Sequence, residues 1–243
     1  MAFMLLFKRI LYIQARTKFA SLNQLTTVDE LELRKLLPES IIKSGADDEL
    51  LTGYRLNLSS GPVAVIDYSY SIGDGKNSTD YIYSLAAMVF DKQYPHIFLD
   101  SRSNGTNGKY QSSQRVNLEG NFNKYFDLYM PEGSGAGSLT LLSPDVMQVL
   151  IDQVQPFDIE INGTNVCLIT RGYGYTQEKI SAFTAASNAI TKEFMELNSS
   201  WQPVYNLQGK PFKLRKNGVW KTVAIVILFY IAYFVVTNIF INR

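Results

Sequence analysis

The sequence predicts an α+β fold, a mainly antiparallel sheet with packed helices, followed by one C-terminal transmembrane helix. Three observations carry this reading. Between residues 54 and 100 the chain is rich in Tyr, Val, Ile and Leu, in short runs broken by turn signals such as Ser60-Gly61, the pattern of antiparallel strands. The main stretches of helical spacing in the domain, near 27–37, 143–154 and 176–197, are separate and do not alternate one for one with strands, which favours α+β over a parallel βαβ fold. Residues 222–241, TVAIVILFYIAYFVVTNIFI, hold no charge.

Twenty helical residues span about 30 Å, the hydrocarbon thickness of a bilayer. Trp220 stands at the proximal end of that run, where an indole favours the interface. Lys210, Lys213, Arg215, Lys216 and Lys221 precede the run and only Arg243 follows it. That asymmetry predicts a cytoplasmic domain, with Lys213, Arg215, Lys216 and Lys221 against anionic headgroups of the lipid bilayer. The expected organisation is an amphipathic N-terminal helix at 1–19, a soluble domain at 20–197, a basic polar linker at 198–218 and a transmembrane helix at 219–241, inserted after translation as in tail-anchored, single-pass proteins.

Of the 243 residues, 46% are hydrophobic, enough for one domain with a real core. The net charge of +1 divides unevenly: no acid follows Glu196, so residues 1–209 carry −5 and the remainder +6. A mildly acidic body gives no footprint for nucleic acid. Five N-x-S/T triplets, at Asn57, Asn77, Asn104, Asn162 and Asn198, matter only for a domain facing a glycosylating lumen, which the charge asymmetry argues against. At the N-terminus Met4, Phe7, Ile10, Leu11 and Gln14 follow helical spacing, and Lys8, Arg9, Arg16 and Lys18 add charge. Such a helix lies on a membrane surface or packs on the domain; the pattern fits both.

Thr27-x-x-Glu30 reads as a capping box ahead of Leu31, Leu33, Leu36 and Leu37, with Pro38 ending the helix. Strands are expected at 54–59, 62–71, 79–90, 96–100 and 114–118, and a mobile Gly/Asn/Ser-rich loop at 101–113. A short helix is expected at 121–128, with Phe122 and Phe126 stacked at i, i+4 beside Tyr125 and Tyr129. Ser143 caps the next helix, with Pro144 at its first position. Phe157–Ile161 and Asn165–Arg171 read as a hairpin about Asn162-Gly163. A long helix at 176–197 carries an apolar seam through Ile180, Phe183, Ser187, Ile190, Phe194 and Leu197.

Three of these pieces, in order, are EGNFNKYFDLY at 119–129, LLSPDVM at 141–147 running to Leu150, and the strand pair Asp158–Ile161 and Val166–Ile169. Through them residues 50–170 resemble a bacterial family of uncharacterised membrane proteins, domain of unknown function 3137. Its motif positions here are Glu119, Phe122, Tyr125, Phe126, Tyr129 and Pro144. Members usually place membrane spans ahead of the domain, whereas here the apolar run follows it. The resemblance implies no activity, cofactor or catalytic residue.

No constellation for chemistry emerges from the residue types. His96 is the only histidine and Cys167 the only cysteine, too few for an ordinary zinc site or an internal disulfide. No G-x-S-x-G accompanies His96, although Asp91, Asp100 and Ser101 are near in sequence. Cys167 lies in an apolar VCLI run and reads as a small core residue. PEGSGAGS at 131–138 and GYG at 172–174 lack the lysine of a phosphate-binding loop and read as loops, the former leading into a strand-like run. Neither cofactor nor metal is expected. The composition points to a binding or scaffolding module with an unidentified protein partner at the inner membrane face; a tethered hydrolase acting on a membrane-proximal substrate is the alternative.

Overall fold

In a computed structural model of the chain, residues 79–101 form one strand of 23 residues from which the rest of the sheet is hung. The structure describes residues 2–23, 25–42, 47–73, 79–105, 110–118, 120–134, 136–200 and 212–213, with only the backbone of 2–11, 47–50, 136–137 and 198–200. Strands β1 (Thr26–Thr27), β2 (Asp47–Leu58), β3 (Gly61–Ile72), β4 (Thr79–Ser101), β5 (Arg115–Val116), β6 (Phe126–Tyr129) and β7 (Asp158–Arg171) join helices α1 (Ala2–Leu22), α2 (Glu30–Leu36), α3 (Pro144–Val149) and α4 (Gln177–Ser200). All strand pairings are antiparallel. The sheet order is β1-β2-β3-β4-β6-β5, with β7 on the other edge of β4.

The strands expected at 79–90 and 96–100 are therefore one. The first half of β4 pairs with β3 and its last residues pair with β6, while β7 follows it from Tyr83–Arg171 to Leu99–Ile159. Between the pairs Val89–Asn165 and Ile97–Ile161, β4 spends eight residues and β7 four. The excess is absorbed in bulges, which bend a strand without ending it. Gly163, at φ 61°, faces Tyr94 inside this bend. The expected turn at Asn162-Gly163 is thus a kink in a continuous β7, and both halves of the supposed hairpin pair with β4.

Because β3, β4 and β7 are covered on both faces, their apolar residues serve two cores. Val63 and Val65 join one; Ala64, Ile66, Tyr68 and Tyr70 join the other. The first is closed by α3, α4 and the second half of α1, through Ile180, Phe183, Ile190 and Phe194 of the expected seam. The second is closed by Leu33, Leu36, Leu37 and Ile41 of α2 and the segment after it.

Local chemistry places the caps. Asp29, not Thr27, caps α2 by accepting from the Leu31 N–H at 2.9 Å; Thr27 is taken by β1, opposite Tyr54. Ser143 Oγ accepts from the Val146 N–H at 3.3 Å and Pro144 opens α3. α3 continues as a π-helical turn, Leu150–Val154. The helix expected at 121–128 is instead a 3-10 turn, Phe122–Lys124, running into β6. Pairing with β4 and β5 overrides the local i, i+4 preference. The strand-like run after the glycine-rich loop is also a 3-10 helix, Ala136–Leu141.

α1 packs on the sheet through its second half. Tyr12 stacks on Tyr173 at 3.7 Å between centroids, and Ala20 is buried. Arg16, one of the four basic residues of this helix, is 8% exposed. Its guanidinium donates to Thr52 Oγ1 and lies 6.0 Å over the Tyr54 ring. The transmembrane helix expected at 219–241 lies outside the described residues, as do Trp220, Arg215, Lys216 and Lys221. No described helix is long and apolar enough to cross a membrane.

Phe122 and Phe126 stack at 5.3 Å and are 2% and 0% exposed, so the motif positions here serve packing. Phe126→Ala is expected to cost about 3–5 kcal/mol, lowering the melting temperature by on the order of 10 °C. An unchanged melt would contradict this core assignment.

Candidate functional site

The clearest site is a clamp on Phe212 and Lys213, the described residues after α4. Gln111 and a 3-10 turn, Ser112–Gln114, precede β5. The Gln114 backbone is held at both ends, its N–H donating to Gln111 O at 3.0 Å and its carbonyl accepting from Met130 N at 3.0 Å. This fixes a side chain that is 2% exposed. The Gln114 amide then reads one residue of main chain twice. Its Oε1 accepts from the Lys213 N–H at 2.9 Å and its Nε2 donates to the Lys213 carbonyl at 2.8 Å. Gln111 N donates to that carbonyl as well, at 3.2 Å. The neighbouring ring of Phe212 stacks on Tyr110 at 4.1 Å and meets His96 edge-on at 4.3 Å. The Lys213 ammonium lies 2.5 Å from Glu132, so this lysine, expected at the headgroups, is engaged by the domain. Beside the clamp, between Gln114, Val116, Met130, Glu132 and Leu139, opens a cleft of about 380 Å³.

His96 is placed by a second network. Glu160, 1% exposed on β7, accepts from the backbone N–H groups of Glu39 at 2.9 Å and Ser40 at 3.0 Å, and its Oε1 is 3.0 Å from His96 Nε2. A buried carboxylate is tolerated when its lone pairs are met in this way. The network ties the segment after α2 to β7 and sets the imidazole edge against Phe212. Ser101 lies five residues farther along the same extended strand, about 16 Å away, and its hydroxyl donates to the Gln155 carbonyl. His96 and Ser101 therefore do not form a catalytic pair. Cys167 is 1% exposed and its thiol donates to Leu36 O at 3.3 Å. Burial, with the nearby Glu160 charge, pushes that thiol far above its ordinary range, so it packs as the sequence indicated. Among the described residues no group of His, Cys, Asp and Glu could hold a metal ion.

A third cluster centres on Asp67, 2% exposed. Register aligns Thr52, Asp67, Ser84 and Thr170 across four strands. Asp67 Oδ1 is 2.5 Å from Ser84 Oγ and 3.1 Å from Gly174 N, and Ser84 Oγ is 2.6 Å from the Gly172 carbonyl. The GYG segment is thus an element of packing. A Cβ at Gly174 would come within 2.7 Å of Ser84. The Ser84 hydroxyl has one proton for two acceptors. A protonated Asp67 completes the set, donating a hydrogen bond to Ser84 Oγ while the serine donates to the Gly172 carbonyl. Burial raises the Asp67 pKa to about 7, against the pull of the Ser84 and Gly174 hydrogen bonds and the Lys179 charge.

Of the residues singled out in the sequence, Phe122, Phe126 and Tyr129 are buried, Tyr125 is half-buried, and Pro144 opens α3; Glu119 lies outside the described residues. Gln114, Glu132, Phe212, Glu160 and Asp67 went unmarked. Asp67 alone left a local trace, a charge inside the apolar run AVIDYSY.

No protein-family model matches this chain, and no curated protein does. Among solved structures, the crystal structure of the mycobacterial trehalose monomycolate transport factor A, TtfA, is similar, with a TM-score of 0.50 over 79% of this chain and 97% of that one. The two share a fold. Their sequences are 9% identical, so the likeness carries the architecture and none of the residues of the clamp.

The raised Asp67 pKa makes stability depend on pH with a definite sign. Below about 3.8 the carboxyl is protonated folded or unfolded; between 3.8 and about 7 the folded chain keeps a proton that the unfolded chain releases. Stability therefore falls as pH rises through this window and stays low above it, by on the order of 4 kcal/mol for a three-unit shift. Asp67→Asn should remove that fall. Melting curves from pH 4.5 to 8 check it: parallel pH profiles for wild type and variant would contradict the assignment.

Proposed function

We propose that this protein is a membrane-anchored binding module, cytoplasmic and single-pass, whose clamp holds the cleft at the β5 edge toward the bilayer. The supporting observation is the hold of Gln114 on the main chain of Lys213. With the span beginning at about residue 222, as the apolar run indicates, eight residues, 214–221, separate the clamp from the membrane. Fully extended they reach about 30 Å. The Phe212 face of the domain and the adjoining cleft then stand close to the lipid, and α4 lies on the opposite side of the sheet.

The occupant in this reading is a protein partner at the membrane. The mycobacterial neighbour is named a transport factor, and a module serving a membrane assembly suits the same architecture. The resemblance of residues 50–170 to domain of unknown function 3137 belongs to the same proposal. The engagement of His96 by Glu160 and the enclosure of Cys167 favour binding over hydrolysis.

A photo-crosslinking residue at Leu139, which lines the cleft, should yield a discrete adduct with another protein when the full chain sits in its native membrane. The same residue at Ala185, exposed on α4, should not. Adducts from both positions alike, or from Ala185 alone, would contradict the proposal.

A further inference from the structure

The clamp is built to read a kind of peptide rather than one position of one chain. Its parts correspond to a short pattern: a ring slot between Tyr110 and His96, a buried amide that bonds both the N–H and the carbonyl of the next residue, and a carboxylate, Glu132, set for that residue's cation. The main-chain bonds require an extended backbone whose N–H and C=O point to one side, the geometry of strand addition to a sheet edge. The rings and Glu132 add an aromatic residue followed by a lysine or arginine. Phe212-Lys213 meets every one of these requirements.

We infer that the clamp is an exchangeable binding site for an extended, aromatic-then-basic segment of a partner protein, with Phe212-Lys213 as its resident occupant. One feature favours exchange: the Lys213–Glu132 pair is partly open to water, at 49% and 35% exposure, so it selects charge without holding tightly. The resident pair belongs to the same chain as the clamp, so it meets the site at a higher effective concentration than a free segment does. A partner segment must outcompete that. Resting on the anchored reading above, exchange has a mechanical result. It releases 212–213 from the domain, so occupancy of the clamp sets how closely the domain is held to the bilayer.

The test uses the full chain in detergent and a fluorescent peptide of residues 209–216, GKPFKLRK, followed by anisotropy. Phe212→Ala, which weakens the resident, should bind the peptide at least tenfold more tightly than wild type does. A peptide with alanine in place of its phenylalanine should lose that binding. Adding Glu132→Lys to Phe212→Ala should weaken the parent peptide several-fold and favour a peptide whose second motif residue is glutamate. Glu132 is partly exposed, so this exchange tests the site without disturbing the core. Equal affinity for wild type and Phe212→Ala, indifference to the peptide's phenylalanine, or no reversal of charge preference would each overturn the inference. No bilayer is present, so a failure here leaves the membrane-facing cleft standing, and a failure of crosslinking at Leu139 leaves the peptide preference standing.

Discussion

β4 is paired along most of its 23 residues, on both edges at 83–87 and 98–99, and the other elements take their places from it. A central strand of this length would ordinarily twist until its ends could no longer share one pair of neighbours. Here the bulges between Val89 and Ile97 bend it, so that β3 holds its first part and β6 its last while β7 follows throughout. The bend delivers His96 to the Glu160 network and places Phe98 at 5.0 Å from Tyr110. The ring slot that receives Phe212 is therefore a consequence of how β4 turns.

Covering the sheet on both faces gives the buried polar groups their roles. Apolar residues at alternating positions of β3 feed two cores, leaving Asp67 inside protein at the end where α1 and α4 meet the sheet. Glu160 is buried on β7, within the cover made by the segment after α2. Each carboxyl is met by backbone N–H groups from a loop: Gly174 for one, Glu39 and Ser40 for the other. These two buried acids secure irregular segments to regular ones, Glu160 just after α2 and Asp67 just ahead of α4.

The parts legible in the sequence are those set by neighbours in the chain. Ser143-Pro144 announced α3 because a cap and an N1 proline act within one turn, and the α4 seam followed from spacing alone. Residues 121–128 misled because Phe122 and Phe126 satisfy helical spacing equally well when Phe126 belongs to a strand; the pairing of Leu128 with Leu99 decides, and nothing local encodes it. Asn162-Gly163 carried a turn signal, but Gly163 uses its positive φ for a kink opposite the β4 bulge. The clamp was invisible for the same reason. Gln114 and Lys213 are 99 residues apart, and neither residue type marks a site until the fold joins them. Lys213 was read as part of a basic run, and its pairing with Glu132 depends wholly on that docking.

The central proposal is that this is a membrane-anchored domain oriented by the clamp, and distance to the bilayer tests it most directly. The full chain is reconstituted in vesicles carrying an acceptor dye on the headgroups, with a donor at Ser113 beside the clamp or at Ala185 on α4, both exposed. The account predicts clearly higher energy transfer from Ser113 than from Ala185, with the difference abolished by Phe212→Ala. Equal transfer from both positions in the unaltered chain, or a difference that survives Phe212→Ala, would contradict it.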